Sequence, residues 1–156
     1  MAKPTARTNV VIASGYETSI PRTVIAAVVS IVGIVWIAVY INVAKDAATY
    51  VKGIGKKPSD PLPWMSNLEQ WNFLIGFGLF FLGLIIAAHK STPLGRGRGV
   101  VIGMLGCFLV GLVWIVVFYF TGADGPIPVM KDLGQYNLMV GIAFMATGFS
   151  FATKWE

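Results

Sequence analysis

The sequence predicts an all-α membrane protein whose four transmembrane helices form two tandem, parallel-oriented helical hairpins. Hydrophobic residues make up 56% of the 156 positions, charged residues only 12%, and mean hydropathy is +0.73, values outside the range of a soluble domain. The chain also repeats itself. Residues 32–40 return as residues 110–118 with six of nine positions identical, and residues 63–76 return as 128–141. Such internal similarity indicates duplication of one structural unit, here a helical hairpin.

Four apolar stretches account for the composition. They are residues 23–44, 71–88, 100–120 and 136–153, and none contains a charged residue or a histidine between its ends. Because a helix rises about 1.5 Å per residue, stretches of roughly 18–22 residues reach about 27–33 Å, enough to cross a bilayer core of about 30 Å. The first stretch is too long for the apolar region of a cleaved signal peptide, and no convincing cleavage pattern follows it. We therefore expect a retained first helix.

These stretches divide the chain into an amino-terminal tail (1–22), a first two-span repeat (23–90), a basic glycine-rich linker (91–99) and a second two-span repeat (100–156). Seven of the twelve Lys and Arg residues lie in the tail, in the middle loop from Lys90 to Arg98 and at the carboxyl end, and five lie in the hairpin loops. The positive-inside bias therefore predicts that both termini are cytoplasmic. Since each repeat has an even number of spans, both copies point the same way across the plasma membrane. The linker is interpreted as a topology anchor rather than a site for anionic lipid.

The first hairpin loop is 13 residues longer than the second, as measured between the deep Trp and the later Met of each copy. The extra residues fall around 45–58, where the sequence can extend the first helix until Gly53 and Gly55 end it. This loop is either a surface for an extracytoplasmic partner or a tolerated insertion. The second interpretation is favoured because surface insertions cost little free energy.

Residues that could carry chemistry are few. The acidic residues all lie in tails and loops, His89 lies at the end of a span, and Cys107 inside the third span is interpreted as a packing residue. A proton-coupled transporter usually needs a carboxylate inside the membrane, and an enzyme needs nucleophiles or acid–base groups. We therefore expect no enzymatic activity, no catalytic residues, no metal or cofactor site and no nucleic-acid partner.

The repeated positions are small, aromatic and amide residues at helical spacing. Glycines let helix backbones approach closely, and an amide can hydrogen-bond across helices for about 0.5–2 kcal/mol. A Met–Leu–aromatic pattern before each returning span predicts a turn of helix at the outer membrane surface. These faces could serve packing within the chain or the helix of a partner. The candidate residues are Gly33, Trp36, Trp64, Met65, Leu68, Trp71, Asn72, Gly76 and Gly83 in the first copy, and Gly111, Trp114, Met130, Leu133, Tyr136, Asn137, Gly141, Gly148 and Trp155 in the second.

These residues resemble the CrgA family of actinobacterial cell-division membrane proteins, which is typically a single two-span unit. The family's second half carries a pattern close to Trp-Met-x-x-Leu-x-x-Trp-Asn, followed by a Gly-containing span that ends in a basic residue and Trp. The first copy matches this pattern from Trp64 to Asn72. The second copy has Val129 and Tyr136 in place of the two tryptophans, and it alone has the ending Lys154-Trp155. The tandem chain resembles a covalently fused dimer of the family unit.

The resemblance implies a non-enzymatic membrane adaptor of the division machinery that coordinates or restrains septum formation. Its implied partners are FtsZ on the cytoplasmic side, septal peptidoglycan synthesis proteins and other membrane divisome proteins in the bilayer, and a second copy of itself. The implied location is the plasma membrane, with enrichment at the division septum. Two alternatives stay open from the residues: a small four-helix transporter or channel, and an enzyme subunit or assembly factor.

Overall fold

The computed structural model describes residues 18–52, 54–56, 58–122 and 125–154, and all regular secondary structure among them is helical. Part of the predicted tail, Gly53 and the predicted interaction residue Trp155 lie outside the described residues. In chain order the elements are α1 (Ile20–Val39), a π-turn (Tyr40–Ala44), α2 (Lys45–Ala48), α3 (Pro63–Ser66), α4 (Trp71–Ala87), α5 (Arg98–Thr121), α6 (Pro128–Leu133) and α7 (Tyr136–Ala152).

The first long helix runs without a break from Ile20 to Ala48, because α1 passes through the π-turn into α2. Ser19 caps its start by accepting a hydrogen bond from the backbone N–H of Arg22 at 3.4 Å, as a serine at this position ordinarily does. The prediction that the helix continues beyond Lys45 is confirmed as far as Ala48. The longer first loop is therefore partly a helical extension.

Each long helix packs against a shorter apolar helix that runs in the opposite direction. On α1, Gly33 lies against Gly76 and Phe80 of α4, whereas Ala26, nearer the start of α1, lies against Gly83. Residue numbers thus rise along one helix as they fall along the other, so the two helices are antiparallel. Helices α5 and α7 repeat this arrangement, with Gly111 against Gly141 and Gly103 against Phe151.

The two helical pairs meet through aromatic residues of α4 and α7. The ring of Phe144 lies 4.9 Å from that of Phe81 and 5.7 Å from that of Phe80, measured between centroids. At one end of this junction Lys45 Nζ and Asp132 Oδ1 form an ion pair at 2.7 Å. At the other end Ala88, Val100 and Phe151 belong to one buried cluster. Corresponding ends of the two pairs therefore lie side by side.

The outside of this fold is apolar. The helices Ile20–Ala48 and Arg98–Thr121 are long and apolar enough to cross a membrane, and only 17% and 22% of their most apolar segments are buried. A core helix of a soluble protein would be mostly buried instead. Helices Trp71–Ala87 and Tyr136–Ala152 are apolar but shorter, with 17 residues each. This arrangement is consistent with a membrane protein.

Candidate functional site

Asn72 lies in the first turn of α4 and fixes the entrance to that helix. Its side chain is completely buried, and Nδ2 donates to the carbonyl oxygens of Met65 at 2.8 Å and Glu69 at 2.9 Å. Those carbonyls belong to α3 and to the turn after it, where helical partners run out. Each carbonyl also accepts a backbone N–H, from Leu68 and from Asn72 itself, so the amide adds a second donor to both and stabilises the turn that joins α3 to α4. The Met-x-x-Leu-x-x-Trp-Asn pattern is thus the sequence of a specific turn.

The second copy builds the same turn around Asn137. This residue is also completely buried and donates to the carbonyl oxygens of Met130 at 2.6 Å and Gly134 at 2.7 Å. Gly134 has a positive φ of 47°, and Glu69, at the equivalent position of the first copy, has a φ of 45°. Glycine adopts this conformation without steric cost, whereas glutamate does not. The turn geometry is therefore preserved even where the residue does not favour it.

In the first copy Trp36 adds a link across helices. Its Nε1 donates to Oδ1 of Asn72 at 3.2 Å, and its ring meets that of Trp64 edge-on with centroids 5.5 Å apart. Helix α1 is thereby joined to α3 and α4 by one polar and one aromatic contact. Trp64 forms the outer edge of this group and is more than half exposed.

The second copy lacks this link. Within the described part of the chain, neither Nε1 of Trp114 nor Oδ1 of Asn137 has a hydrogen-bond partner, although both atoms are buried. The Trp114 ring lies edge-on to Phe77 of the other pair, with centroids 6.0 Å apart. Val129 occupies the position equivalent to Trp64 and offers no ring for Trp114 to meet. The first tryptophan therefore stabilises its own pair, and the second joins the two pairs.

We expect the Trp–Asn hydrogen bond to give unequal coupling in the two copies. The effects of Trp36→Phe and Asn72→Leu on the free energy of unfolding should be coupled by about 1 kcal/mol. The effects of Trp114→Phe and Asn137→Leu should instead be additive within about 0.5 kcal/mol. The measurement is the free energy of unfolding in detergent micelles for each single and double variant. Equal coupling in both copies would show that the two tryptophans have the same role.

Polar contacts join the opposite end of the first pair. The Arg22 guanidinium donates to Nδ1 of His89 and to Oγ of Ser91, both at 2.7 Å, and the backbone N–H of Ser19 donates to the carbonyl of Ser91 at 2.8 Å. Because arginine only donates, the histidine nitrogen is the acceptor. These contacts attach the start of α1 to the segment after α4. His89 therefore has a positioning role that its place in the sequence did not indicate.

The predicted interaction residues fall into an interior set and a surface set. Among the described positions, the exposed ones are Trp64, Trp71 and Tyr136, and Leu68, Trp36 and Trp114 are half-buried. The remaining described positions face the interior of the chain. Those interior residues are Gly33, Met65, Asn72, Gly76, Gly83, Gly111, Met130, Leu133, Asn137, Gly141 and Gly148.

Sequence reasoning did not find the residues that join the two pairs. Neither the Lys45–Asp132 ion pair nor the contacts of Phe144 follow from helical spacing, since both connect positions in different copies. The one available signal was Val129 in place of the first tryptophan, which removes the neighbour that holds Trp36. Among the described residues, no group of three or more His, Cys, Asp or Glu could hold a metal ion.

The geometry defines a class: a small helical protein with an apolar exterior, made of two antiparallel helical pairs whose repeated polar residues stabilise the turns between helices. A family model described as "Cell division protein CrgA" matches the chain twice, over residues 2–90 and 87–156. The chain belongs to the CrgA family of cell division proteins.

Curated relatives agree with this assignment. A cell division protein CrgA of Streptomyces avermitilis is 46% identical over 66 residues, covering 42% of this chain and 75% of the relative. Those of Corynebacterium aurimucosum and Mycobacterium sp. (strain KMS) are 38% and 36% identical, covering 45% and 33% of this chain and 80% and 61% of each relative. All three are named as cell division proteins, and none is named as an enzyme. No solved structure matches the chain.

Proposed function

We propose that this protein is a non-enzymatic integral membrane adaptor of the cell-division machinery that coordinates or restrains septum formation. One observation carries the proposal. The family model matches twice, and each match folds as a helical pair held together by its own glycines. Packing within each pair therefore uses the small-residue faces and leaves the aromatic outer ends and the apolar exterior for lipid and partners.

Four membrane spans, with both termini in the cytoplasm, are part of this proposal. Helices α4 and α7 have 17 residues each, which corresponds to about 26 Å and nearly matches a bilayer core of about 30 Å. Their first residues, Trp71 and Tyr136, are 65% and 59% exposed, as expected for aromatic side chains at a membrane–water interface. Arg22 of the tail and Arg96 and Arg98 of the linker lie at the opposite end and support a cytoplasmic location there.

The proposed contacts use both ends of the fold. FtsZ is proposed to meet the basic tail and linker, whereas septal peptidoglycan synthesis proteins and other membrane divisome proteins meet the exposed aromatic residues at the outer end. Asn72 is completely buried, so it acts on a partner only by holding the turn that presents Trp64 and Trp71. Self-association is proposed to involve the same outer end.

Live imaging of a functional fluorescent fusion in a dividing actinobacterial host tests the proposal. We expect enrichment at the septum that arrives with the division ring. Labelling of the whole envelope throughout the cell cycle would contradict the adaptor function, and transport assays on reconstituted vesicles would then test the transporter alternative.

The outer aromatic surface is tested by Trp71→Ala. Since loss of an anchoring aromatic at an interface commonly costs more than 1 kcal/mol, we expect about tenfold weaker association with membrane division proteins and an unchanged melting temperature. Tyr119→Ala is the matched control, because Tyr119 is also an exposed aromatic near the outer end but lies outside the repeated family pattern. Equal association of both variants would show that Trp71 does not contact a partner.

A further inference from the structure

A groove of about 540 Å³ lies between α4 and α7, at the end where both helices begin. Its walls are formed by residues of both copies, so the groove exists only because the unit is duplicated in one chain. Three pairs of lining residues occupy equivalent positions in the two copies: Trp71 and Tyr136, Leu74 and Met139, and Gly78 and Ala143.

The groove is open on one side to the surroundings of the helices. Leu74 and Met139 on its rims are well exposed, and a Cβ atom built on Gly78 would meet nothing within 4 Å. Gly78 is therefore not required for packing within the chain, unlike Gly76 one half-turn away. With α4 and α7 placed across a bilayer, this opening faces the hydrocarbon region.

One end of the groove carries a carboxylate. Oδ1 of Asp132 pairs with Lys45 at 2.7 Å, whereas Oδ2 is buried and has no hydrogen-bond donor within the described part of the chain. The side chain is 14% exposed and forms part of the groove wall. A carboxylate accepts several hydrogen bonds, and its terminal torsion is broad enough to present either oxygen. Asp132 can therefore accept a second cation from the groove while it keeps Lys45.

The groove has the size of a small-molecule pocket and the length of an extended chain. Its volume is about 540 Å³, within the range of about 300–1,000 Å³ that is usual for small-molecule pockets. The twelve positions from Gln70 to Phe81 extend about 16 Å along α4, so the groove is long and narrow.

We propose that this groove binds one acyl chain of a phospholipid whose primary-amine headgroup donates hydrogen bonds to Asp132. The headgroup lies at the level of Trp71 and Tyr136, and the chain runs along the groove toward Gly78 and Ala143. Charge complementarity between the ammonium and the partly satisfied carboxylate selects this lipid class. The inference rests on the bilayer placement proposed above but not on the role in septation.

The test is the lipid retained by purified protein, read by native mass spectrometry after extraction from vesicles of equal phosphatidylethanolamine and phosphatidylcholine with the same acyl chains. The ethanolamine ammonium carries N–H donors, whereas the choline group has none. Since a charge-assisted hydrogen bond is among the stronger ones, we expect about tenfold preference for phosphatidylethanolamine. Equal retention of the two lipids would overturn the proposal.

Two matched variants locate the site. Gly78→Leu fills the groove and should lower the retained lipid about tenfold, whereas Gly106→Leu, at an equally open glycine of α5, should leave it unchanged. If Gly78→Leu keeps the lipid but loses a membrane partner, the groove is a site for a partner's helix and the proposal is wrong. Melting temperatures of both variants separate loss of lipid from loss of fold.

The headgroup contact is tested separately. Asp132→Asn should abolish the preference between the two lipids. Because this change also disrupts the ion pair, Lys45→Gln serves as the control and should preserve the preference or increase it. Loss of preference in both variants would assign the effect to the ion pair and overturn the headgroup contact. A negative lipid result leaves the septal imaging unaffected, so the two proposals fail independently.

Discussion

Gly33→Ala should lower the free energy of unfolding by about 1–3 kcal/mol, the usual cost of overpacking a well-packed interface. A methyl group at this position would lie 2.6 Å from the backbone nitrogen of Phe80 and would also overlap the carbonyl oxygen of Gly76. Both atoms belong to the backbone of α4, so no side-chain rotation relieves the contact. The two helices must separate, and the contacts between Trp36 and Asn72 would weaken with them.

The matched control, Gly106→Ala, should not lower the free energy of unfolding. Nothing lies within 4 Å of a Cβ built on Gly106, so Gly106→Ala adds no contact. Alanine is a better helix former than glycine by about 1 kcal/mol, and this variant should be neutral or stabilised. The measurement is denaturant unfolding in detergent micelles, followed by helical circular dichroism. Equal stability of the Gly33 and Gly106 variants would contradict the packing of α1 on α4.

The duplication extends this expectation to the second copy. A methyl group at Gly111 would lie 2.8 Å from the carbonyl oxygen of Gly141 and 2.9 Å from Cβ of Phe144. Gly111→Ala should therefore destabilise the protein in the same range as Gly33→Ala, about 1–3 kcal/mol.

Phe144→Ala should have the second large effect, a loss of about 3 kcal/mol, because it opens a cavity where the two helical pairs meet. The side chain is 8% exposed, and its ring lies 4.9 Å from Phe81, 5.7 Å from Phe80 and 6.5 Å from Trp114. The variant should loosen the junction between the pairs while each pair stays helical. Phe120→Ala, at a position that is 88% exposed, is the control and should change little.

Spin labels on the two outer connections, one after α2 and one on α6, distinguish loosening of the junction from general unfolding. Labels at Lys52 and Lys131, in a Cys107→Ala background, report the separation of the two pairs. We expect a broader distance distribution in Phe144→Ala alone, with unchanged helical circular dichroism. If helix content falls together with the label distances, the pairs do not fold as separable units and the expectation is wrong.

The amide residues show what the sequence could predict and what it could not. The pattern of Met, Leu, aromatic and Asn indicated a helical turn before each returning helix, and α3 and α6 lie there. Spacing did not indicate where the amide would point. Asn72 and Asn137 donate back to the preceding turn, and only Asn72 also contacts a tryptophan across helices. This difference between Asn72 and Asn137 depends on the path of the turn and on the ring of Trp64, which lies against Trp36.

The glycines likewise show which features the sequence predicted and which it did not. Their repetition indicated close helix packing, and their spacing placed them on one face of each helix. Whether that face meets the same chain or a partner depends on how the hairpin closes. In the structure Gly33 lies against Gly76, and Gly111 lies against Gly141, so these faces are covered within the chain. By contrast, Gly78 and Gly106 remain open.

The sequence by itself determined the helical class, the apolar exterior, the duplication and the family, because these depend on local composition, periodicity and the order of residues along the chain. Only the tertiary structure decided that Trp36 and Trp114 have different neighbours, that Lys45 pairs with Asp132, and that a groove lies between α4 and α7 where both helices begin. These features join positions far apart in sequence. Their geometry depends on how the packed helices are rotated and how far apart they lie. The side-chain volumes at the junction determine both quantities, and the spacing of residues along a helix does not encode them.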